Sequence, residues 1–295
     1  MDKIIGNEEV IKYLGELCKY NPKSQPKKPW VLYYIEASGN ELHRNFWSKR
    51  SSSRLCFDLF RDIANLKSVK SFQFEKILPG LASGGSGPNM DVYFETKEEI
   101  VFIESKFSEN PSYHYKDKHK DGLLEAYWGE GEYGSRKMFL KKRYHNCDFY
   151  KEFVSFIDAI EKKAEKLREN YKTKSNLQEW FNIKQETCHL LGILFYIFKN
   201  DIRDKKISFY NVYWKFEGDK SEIADKFMQQ AEGMVKNILK ERNLEFQYKA
   251  ITTQEFLEGG SKTIIEGLQL PTIKKRIGPY EELSKGKTRK EMQNI

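Results

Sequence analysis

The hydrophobic positions of this 295-residue chain follow two different periods, which predicts β-strands interleaved with α-helices. VKSFQFEKIL (69–78) alternates as a strand does, and MDVYFETKEEIVFIESKF (90–107) contains two short apolar runs joined by a polar turn. SSSRLCFDLFRDIAN (51–65) instead carries apolar residues at helical spacing, after serines that favour a helix start. The sequence therefore predicts the order helix, strand, hairpin for this part of the chain.

A second series of elements follows toward the C-terminus. The apolar run CHLLGILFYIF predicts a core helix over residues 184–199, in which His189 is expected to be a buried core histidine, and ISFYNVYWKF predicts a buried strand. A helix at about 219–242, the strand EFQYKAIT and the short helix TQEFLEG complete the alternation. Strands and helices that alternate in this way indicate an α/β fold with a central mixed β-sheet flanked by helices.

These patterns divide the chain into four parts. Residues 1–50 are expected to form an N-terminal extension with helix and strand, and residues 51–110 together with 184–260 to form the core. Residues 111–183 are polar, basic and aromatic and are long for a connection, so we expect a helical insertion that recognises or clamps a ligand. Residues 261–295 contain KKR and KGKTRK and are expected to form an extended basic tail.

Composition limits the class of protein without identifying it. The net charge of +8, from 51 Lys and Arg against 43 Asp and Glu, favours a polyanionic partner. No apolar run is long enough to span a bilayer and the first residues lack a secretory pattern, so we expect a cytoplasmic protein without a membrane partner. The four cysteines form no CxxC pair, which argues against a zinc site or a disulfide framework.

Candidate chemistry is concentrated in the hairpin. If residues 96–99 form its turn, Asp91 falls directly opposite Glu104, and Lys106 shares the face of Glu104. Facing carboxylates are destabilising unless one is protonated or both bind a cation. Carboxylate oxygens together with water and phosphate are the ligands that Mg²⁺ prefers. A charged hairpin that is merely solvated is the alternative, but the apolar flanks and the glycine-rich loop before Asp91 favour a metal site.

The order helix, strand, Gly/Pro-rich loop, MD and a strand ending in IESKF resembles the PD-(D/E)XK nuclease superfamily, which has the restriction-endonuclease-like fold. Asp91 matches the first acid of its motif, Glu104 the second and Lys106 the lysine, whereas Pro88 stands three positions before Asp91 rather than next to it. The resemblance implies a restriction-endonuclease-like core that hydrolyses phosphodiester bonds with Mg²⁺, for which Mn²⁺ can substitute. It also implies that Asp91, Glu104 and the carbonyl of Ser105 hold the metal.

Further residues are assigned to the site or to the substrate surface. Glu75, on the strand that enters the glycine-rich loop, is preferred to Asp58 or Asp62 as an upstream acid, and Glu109 and Gln185 are expected to border the pocket. Basic residues in two stretches are expected to track DNA phosphates, with a solvated helix face as the alternative. These residues are Arg50, Arg54, Arg136, Lys137, Lys141, Lys142 and Arg143.

The resemblance and these residues together predict a Mg²⁺-dependent endonuclease that cuts double-stranded DNA, in the first instance a type II restriction endonuclease. A palindromic site would require a homodimer with one hairpin for each strand. One alternative is a repair, mobile-element or phage-defence nuclease with little sequence preference. Another is a non-catalytic nucleic-acid-binding protein with the same fold.

Overall fold

A computed structural model describes residues 51–78, 88–108 and 183–293, together with Ser155, Ala159, Lys162, Gln178 and Glu179. The predicted N-terminal extension and most of the predicted insertion lie outside these residues, as does most of the glycine-rich loop. Within the described part of the chain, no helix is both long enough and apolar enough to cross a membrane.

The centre of the structure is a mixed five-stranded sheet, as the sequence predicts. Its strands, given in their order across the sheet, are β1 (Ser71–Ile77), β2 (Asn89–Glu95), β3 (Glu99–Lys106), β5 (Lys206–Tyr213) and β7 (Glu245–Thr252). The pairs β1–β2 and β2–β3 are antiparallel, whereas β5 and β7 are added in parallel to β3. Two short parallel strands, β4 (Gln178–Glu179) and β6 (Asp219–Lys220), form a separate pair.

Helices cover both faces of this sheet. They are α1 (Ser52–Phe60), α2 (Ile183–Lys199), α3 (Glu222–Leu239), α4 (Thr253–Leu257), α5 (Leu270–Ser284) and α6 (Arg289–Gln293). Short 3₁₀ turns follow at Arg61–Asn65, Lys240–Arg242 and Gly260–Thr263. The mixed sheet and its flanking helices confirm the predicted α/β class.

The sheet separates two apolar cores, because β2, β3, β5 and β7 carry apolar side chains on both faces. The α1-side core lies beneath α1, α4 and α5 and includes Leu55, Phe74, Val92, Ile103 and Ile273. The α2-side core lies beneath α2 and α3 and includes Met90, Phe102, Leu191, Phe209 and Phe227. Strands that are buried on both faces explain the near-continuous apolar runs of β3 and β5.

The hairpin register is the one that the sequence predicts. Val92 pairs with Ile103, and Glu95 pairs with Ile100 next to the turn. Thr96 fixes this turn, because its hydroxyl oxygen accepts a hydrogen bond from the Glu99 amide at 3.0 Å and its amide donates to the Glu99 carbonyl at 2.9 Å. A one-residue slip would invert every side chain of β3, so this turn helps to decide which residues face α2.

The C-terminal residues correct the prediction of an extended basic tail. Leu270–Ser284 is helical, and Ile273 and Ile277 are fully buried in the α1-side core. The Arg276 side chain fastens this helix to the start of the fold, since it donates to the Asp58 carbonyl at 2.9 Å and to a carboxylate oxygen of Asp62 at 2.8 Å. The prediction rested on the lysines of this segment. Ile273 and Ile277, four residues apart, instead form one buried face of a helix.

Candidate active site

A row of four polar residues crosses the sheet where neighbouring strands are otherwise apolar. The β1–β2 register places Glu75 opposite Asp91, between two paired positions, and the β2–β3 register, continued by one pair, places Asp91 opposite Glu104. Glu104 in turn pairs with Asn211 on β5. Glu75, Glu104 and Asn211 are buried, and polar groups in the interior require partners.

At this row, the faces of β1 and β2 that pack against the two cores are exchanged. Phe74 and its partner Val92 lie in the α1-side core, but Met90, two positions before Val92, lies in the α2-side core. Between them, Glu75 has a φ of 49°, a left-handed conformation that costs a non-glycine residue about 1–3 kcal/mol. The normal alternation of side chains along the strand is therefore interrupted at Glu75 and Asp91.

Because of this interruption, the Asp91 carboxylate accepts a β3 hydrogen bond that a backbone carbonyl of a paired strand would otherwise accept. Its Oδ2 atom accepts a hydrogen bond from the Ser105 amide at 2.6 Å, beyond the last paired residues, Val92 and Ile103. The neighbouring Lys106 carbonyl points the other way, to β5, so both backbone groups of Ser105 point toward β2. The Ser105 carbonyl thus lies on the same side of β3 as Asp91.

Glu104, Lys106 and Gln185 form a closed set of hydrogen bonds between β3 and the first turn of α2. Glu104 Oε1 accepts from Lys106 Nζ at 2.5 Å and from Gln185 Nε2 at 2.8 Å. Gln185 Oε1 accepts from Lys106 Nζ at 2.9 Å. Only 8% of the Lys106 side chain and 2% of the Glu104 side chain are exposed, so this is a buried ion pair and not a solvated hairpin face. Gln185, predicted only to border the pocket, contacts both charged groups.

Two further ionisable side chains of α2 lie behind Glu104. His189 Nε2 is 3.6 Å from Glu104 Oε2, and His189 Nδ1 is 3.9 Å from Glu186 Oε2. Burial lowers the pKa of His189, but the carboxylates of Glu104 and Glu186 outweigh burial and raise this pKa above its ordinary value. His189 is buried as predicted, yet it also contributes to the charge balance of the candidate site.

A neutral hydrogen bond links Asn211 to Tyr248 on β7, although the strand register places Ala250 opposite Asn211. Asn211 Nδ2 donates a hydrogen bond to the Tyr248 hydroxyl oxygen at 2.8 Å. Burial raises the pKa of Tyr248 well above its ordinary value, so the hydroxyl stays protonated. Asn211 therefore has one amide group bonded to a protonated hydroxyl, whereas its Oδ1 atom has no hydrogen-bond partner among the described residues.

His189, Glu186 and Asn211 were not predicted as site residues, although the sequence contains a signal for two of them. His189 follows Gln185 by four residues on one helix, which places both side chains on the same face. Asn211 is the amide in the middle of an apolar strand, where a polar residue needs a specific partner. Their proximity to Glu104 requires the register of β3 and β5, which the sequence does not show.

Several buried atoms of this region have unused hydrogen-bonding capacity. Among the described residues, the buried side-chain atoms near Glu104 with no hydrogen-bond partner are Glu104 Oε2, Ser105 Oγ, Glu186 Oε2, His189 Nδ1 and Asn211 Oδ1. Buried polar atoms of this kind are usually satisfied by water, an ion or a ligand. This region is therefore suited to binding chemistry as well as to packing.

The donor set fits a hard divalent cation. In the described part of the chain, no group of three or more His, Cys, Asp or Glu side chains is arranged to hold a metal. Mg²⁺, however, is usually bound through one or two carboxylates, with water and substrate phosphate completing its shell. Glu104 Oε2, which lacks a hydrogen-bond partner, the Asp91 carboxylate and the Ser105 carbonyl are oxygen ligands of this type.

Of the predicted DNA contacts, only Arg54 is among the residues that the structure describes. Arg54 is corrected, because it is buried and its Nε atom donates to an Asp58 carboxylate oxygen at 3.0 Å, inside the α1-side layer. Its role is to hold the helix that begins at the Ser51 cap. The remaining predicted DNA contacts lie outside the described residues, namely Arg50, Arg136, Lys137, Lys141, Lys142 and Arg143. Glu109, which is predicted to border the pocket, lies outside them as well.

Comparison with known proteins gives no match to this chain among family models, curated proteins or solved structures. The interpretation of the site therefore depends on its own residues and their geometry.

Proposed function

We propose that this chain is a Mg²⁺-dependent nuclease with a restriction-endonuclease-like core that hydrolyses phosphodiester bonds of DNA. The observation that carries the proposal is the convergence of Asp91, Glu104 and Lys106 on one end of β3, with Lys106 fixed by Gln185. The carboxyl ends of β3, β5 and β7 meet at this edge, where α/β sheets commonly bind ligands.

Each residue has a defined task in this reaction. Asp91, Glu104 and the Ser105 carbonyl would hold the metal ion, which when bound supplies a Lewis acid and a water of lowered pKa. The Lys106 ammonium donates a hydrogen bond to the attacking water or to a phosphate oxygen and stabilises the charge that develops there. Gln185 orients this ammonium, because its amide group bonds to both members of the ion pair.

The substrate class is proposed from the charge of the chain and from the resemblance of its motif. The chain is basic overall, with a net charge of +8, which favours a polyanionic substrate, and the resemblance to PD-(D/E)XK nucleases favours DNA. We favour a type II restriction endonuclease that acts as a homodimer on a palindromic double-stranded site. A nuclease with weak sequence preference would use the same residues and is distinguished by its products.

The first test is digestion of a long, defined double-stranded DNA with Mg²⁺. We expect cleavage by the wild-type chain, and a loss of about 100-fold or more in Asp91→Ala and Lys106→Ala, and in EDTA. Lys226→Ala is the matched control, since this exposed lysine forms an ion pair with Glu222 on the surface of α3 and its loss should leave the rate unchanged.

The products separate the candidate functions. Discrete fragments support a restriction endonuclease, whereas a smear with the same dependence on metal and on Lys106 supports a nuclease with little sequence preference. Absence of cleavage of both DNA and RNA by the folded wild-type chain would overturn the nuclease proposal in favour of a non-catalytic binding protein.

A further inference from the structure

Arg289 is a buried arginine in the last helix, far in sequence from the candidate site. Only 2% of this residue is exposed, although arginine is rarely buried without partners. It belongs to the KGKTRK stretch, whose neighbouring lysines Lys285 and Lys290 are exposed. A single buried member of a basic stretch indicates a specific role for its guanidinium.

The guanidinium of Arg289 joins three separate parts of the chain. Its Nη1 atom donates to the Phe107 carbonyl, and its Nη2 atom donates to the Trp214 carbonyl at 2.7 Å. Its Nε and Nη2 atoms also bond to the two carboxylate oxygens of Asp219, at 3.2 and 2.7 Å. The Phe216 ring lies beneath it, with its centre 4.8 Å from Cζ. Five planar donors suit such a fork, which a lysine ammonium cannot reproduce.

Two of these contacts lie next to the residue that carries the proposed chemistry. Phe107 directly follows Lys106, and the Trp214 amide donates to the Lys106 carbonyl at 2.8 Å. The paired part of β2 and β3 ends at Val92 and Ile103, so among the described strands only β5 lies beside the last residues of β3. By binding the Phe107 and Trp214 carbonyls, Arg289 links the ends of β3 and β5 at the residues where β3 is no longer paired with β2.

We propose that Arg289 is a positioning residue for the site, which fixes the backbone at Lys106 and Phe107 so that the Lys106 ammonium meets Glu104 and Gln185. The C-terminal helices are then part of the catalytic unit. This inference rests on the proposed nuclease function. A small displacement of a catalytic group lowers rates strongly, since supporting contacts to functional residues typically contribute about 10- to 100-fold.

Arg276 offers a matched control within the same segment. Its guanidinium also anchors a C-terminal helix, through the Asp58 carbonyl and the Asp62 carboxylate, but these partners belong to α1 and the turn after it. Loss of either arginine should lower the stability of the fold. Only loss of Arg289 should change the position of Lys106.

The experiment compares Arg289→Lys and Arg276→Lys with the wild type in the full chain. Single-turnover cleavage rates are measured with Mg²⁺, at a temperature at which each protein remains folded, and DNA affinity is measured in EDTA. We expect Arg289→Lys to lower the cleavage rate about 10- to 100-fold, with an affinity within twofold of wild type. Arg276→Lys should keep both quantities near wild type. Asp219→Asn, which weakens the fork from its other side, replaces Arg289→Lys if that variant does not fold.

Hydrogen exchange supplies a second measurement that does not depend on cleavage. The Trp214 amide should exchange faster in Arg289→Lys and not in Arg276→Lys, because its acceptor is the Lys106 carbonyl. A wild-type cleavage rate in Arg289→Lys, an equal loss in both variants, or a loss of DNA affinity in place of rate would overturn the inference. If the wild type cleaves no nucleic acid, the nuclease proposal fails by itself; unchanged exchange at Trp214 would then refute the anchor separately.

Discussion

The buried pair of Glu104 and Lys106 makes a quantitative prediction that does not depend on catalysis. Lys106→Met removes the cation but leaves the Glu104 carboxylate in the interior, where 2% of its side chain is exposed. Breaking a buried ion pair from one side typically costs about 3–5 kcal/mol. Gln185 still donates to Glu104 at 2.8 Å, and His189 lies 3.6 Å away, so we expect a loss near the lower limit, about 3 kcal/mol.

The double-mutant cycle with Glu104→Gln isolates the interaction. Once the carboxylate is neutral, the missing ammonium leaves no unpaired charge, so adding Lys106→Met to Glu104→Gln should cost about 1–2 kcal/mol less than it does in the wild type. Urea unfolding of the four proteins at pH 7 and without metal measures each free energy, and equal m-values confirm that the unfolded states are comparable.

The same cycle decides between the buried site and the solvated hairpin face. Exposed ion pairs give couplings of about 0.2–1 kcal/mol, and the coupling of such a pair falls with added salt. A loss below about 1 kcal/mol in Lys106→Met, or a coupling that disappears in 1 M NaCl, would contradict the burial of this pair. The matched surface pair Lys226 and Glu222, which is about half exposed, should show that weaker and salt-sensitive behaviour.

Three further predictions concern the fold around the site. Glu75→Gly should be more stable to urea than Glu75→Gln by about 1 kcal/mol, because only glycine relieves the left-handed backbone at φ 49°; equal stabilities would refute the strain. Ile273→Ala should cost about 2–5 kcal/mol if the C-terminal helix is part of the core, whereas an unpacked tail would lose less than about 0.5 kcal/mol. Thr252→Ala should cost about 1 kcal/mol at pH 7, because it removes a capping box with Glu255. The Thr252 amide and hydroxyl hold the pKa of Glu255 below its ordinary value of about 4.5, so its contribution is complete above that pH and is lost on further acidification; a cost that is the same at pH 7 and pH 3 would contradict this assignment.

The hairpin could be predicted from the sequence because its determinants are local. A four-residue turn, two apolar flanks and the period of two place Asp91 opposite Glu104 without knowledge of the rest of the fold, and the observed register agrees. Helix α1 was predictable for the same reason, since its apolar spacing and its Ser51 cap lie within one segment. Contacts between neighbours in sequence are the ones that periodicity can reveal.

The environment of the hairpin could not be predicted, because it depends on distant pairings. Asn211 meets Glu104 only when β5 is placed beside β3, and Gln185 meets Lys106 only when α2 packs across that face. The exchange of the packed faces of β1 and β2 at Glu75 is likewise invisible to alternation rules, which assume a regular strand. Arg54 shows the opposite error, because its position in a basic stretch predicts a surface contact, whereas its side chain is buried.

One irregularity of the sheet accounts for both the candidate site and the position of Arg289. Because pairing between β2 and β3 stops after Val92 and Ile103, the backbone of Ser105 is open to the Asp91 carboxylate. The same stop removes one strand neighbour from the end of β3, at the residues where a nuclease would need the most rigid geometry. Arg289 restores that support from the last helix, across 182 residues of sequence. An endonuclease site built in this way should therefore lose activity when α6, the helix that begins at Arg289, is removed. This loss is expected even though none of the hydrogen bonds described above joins α6 to Glu104, Lys106 or Gln185.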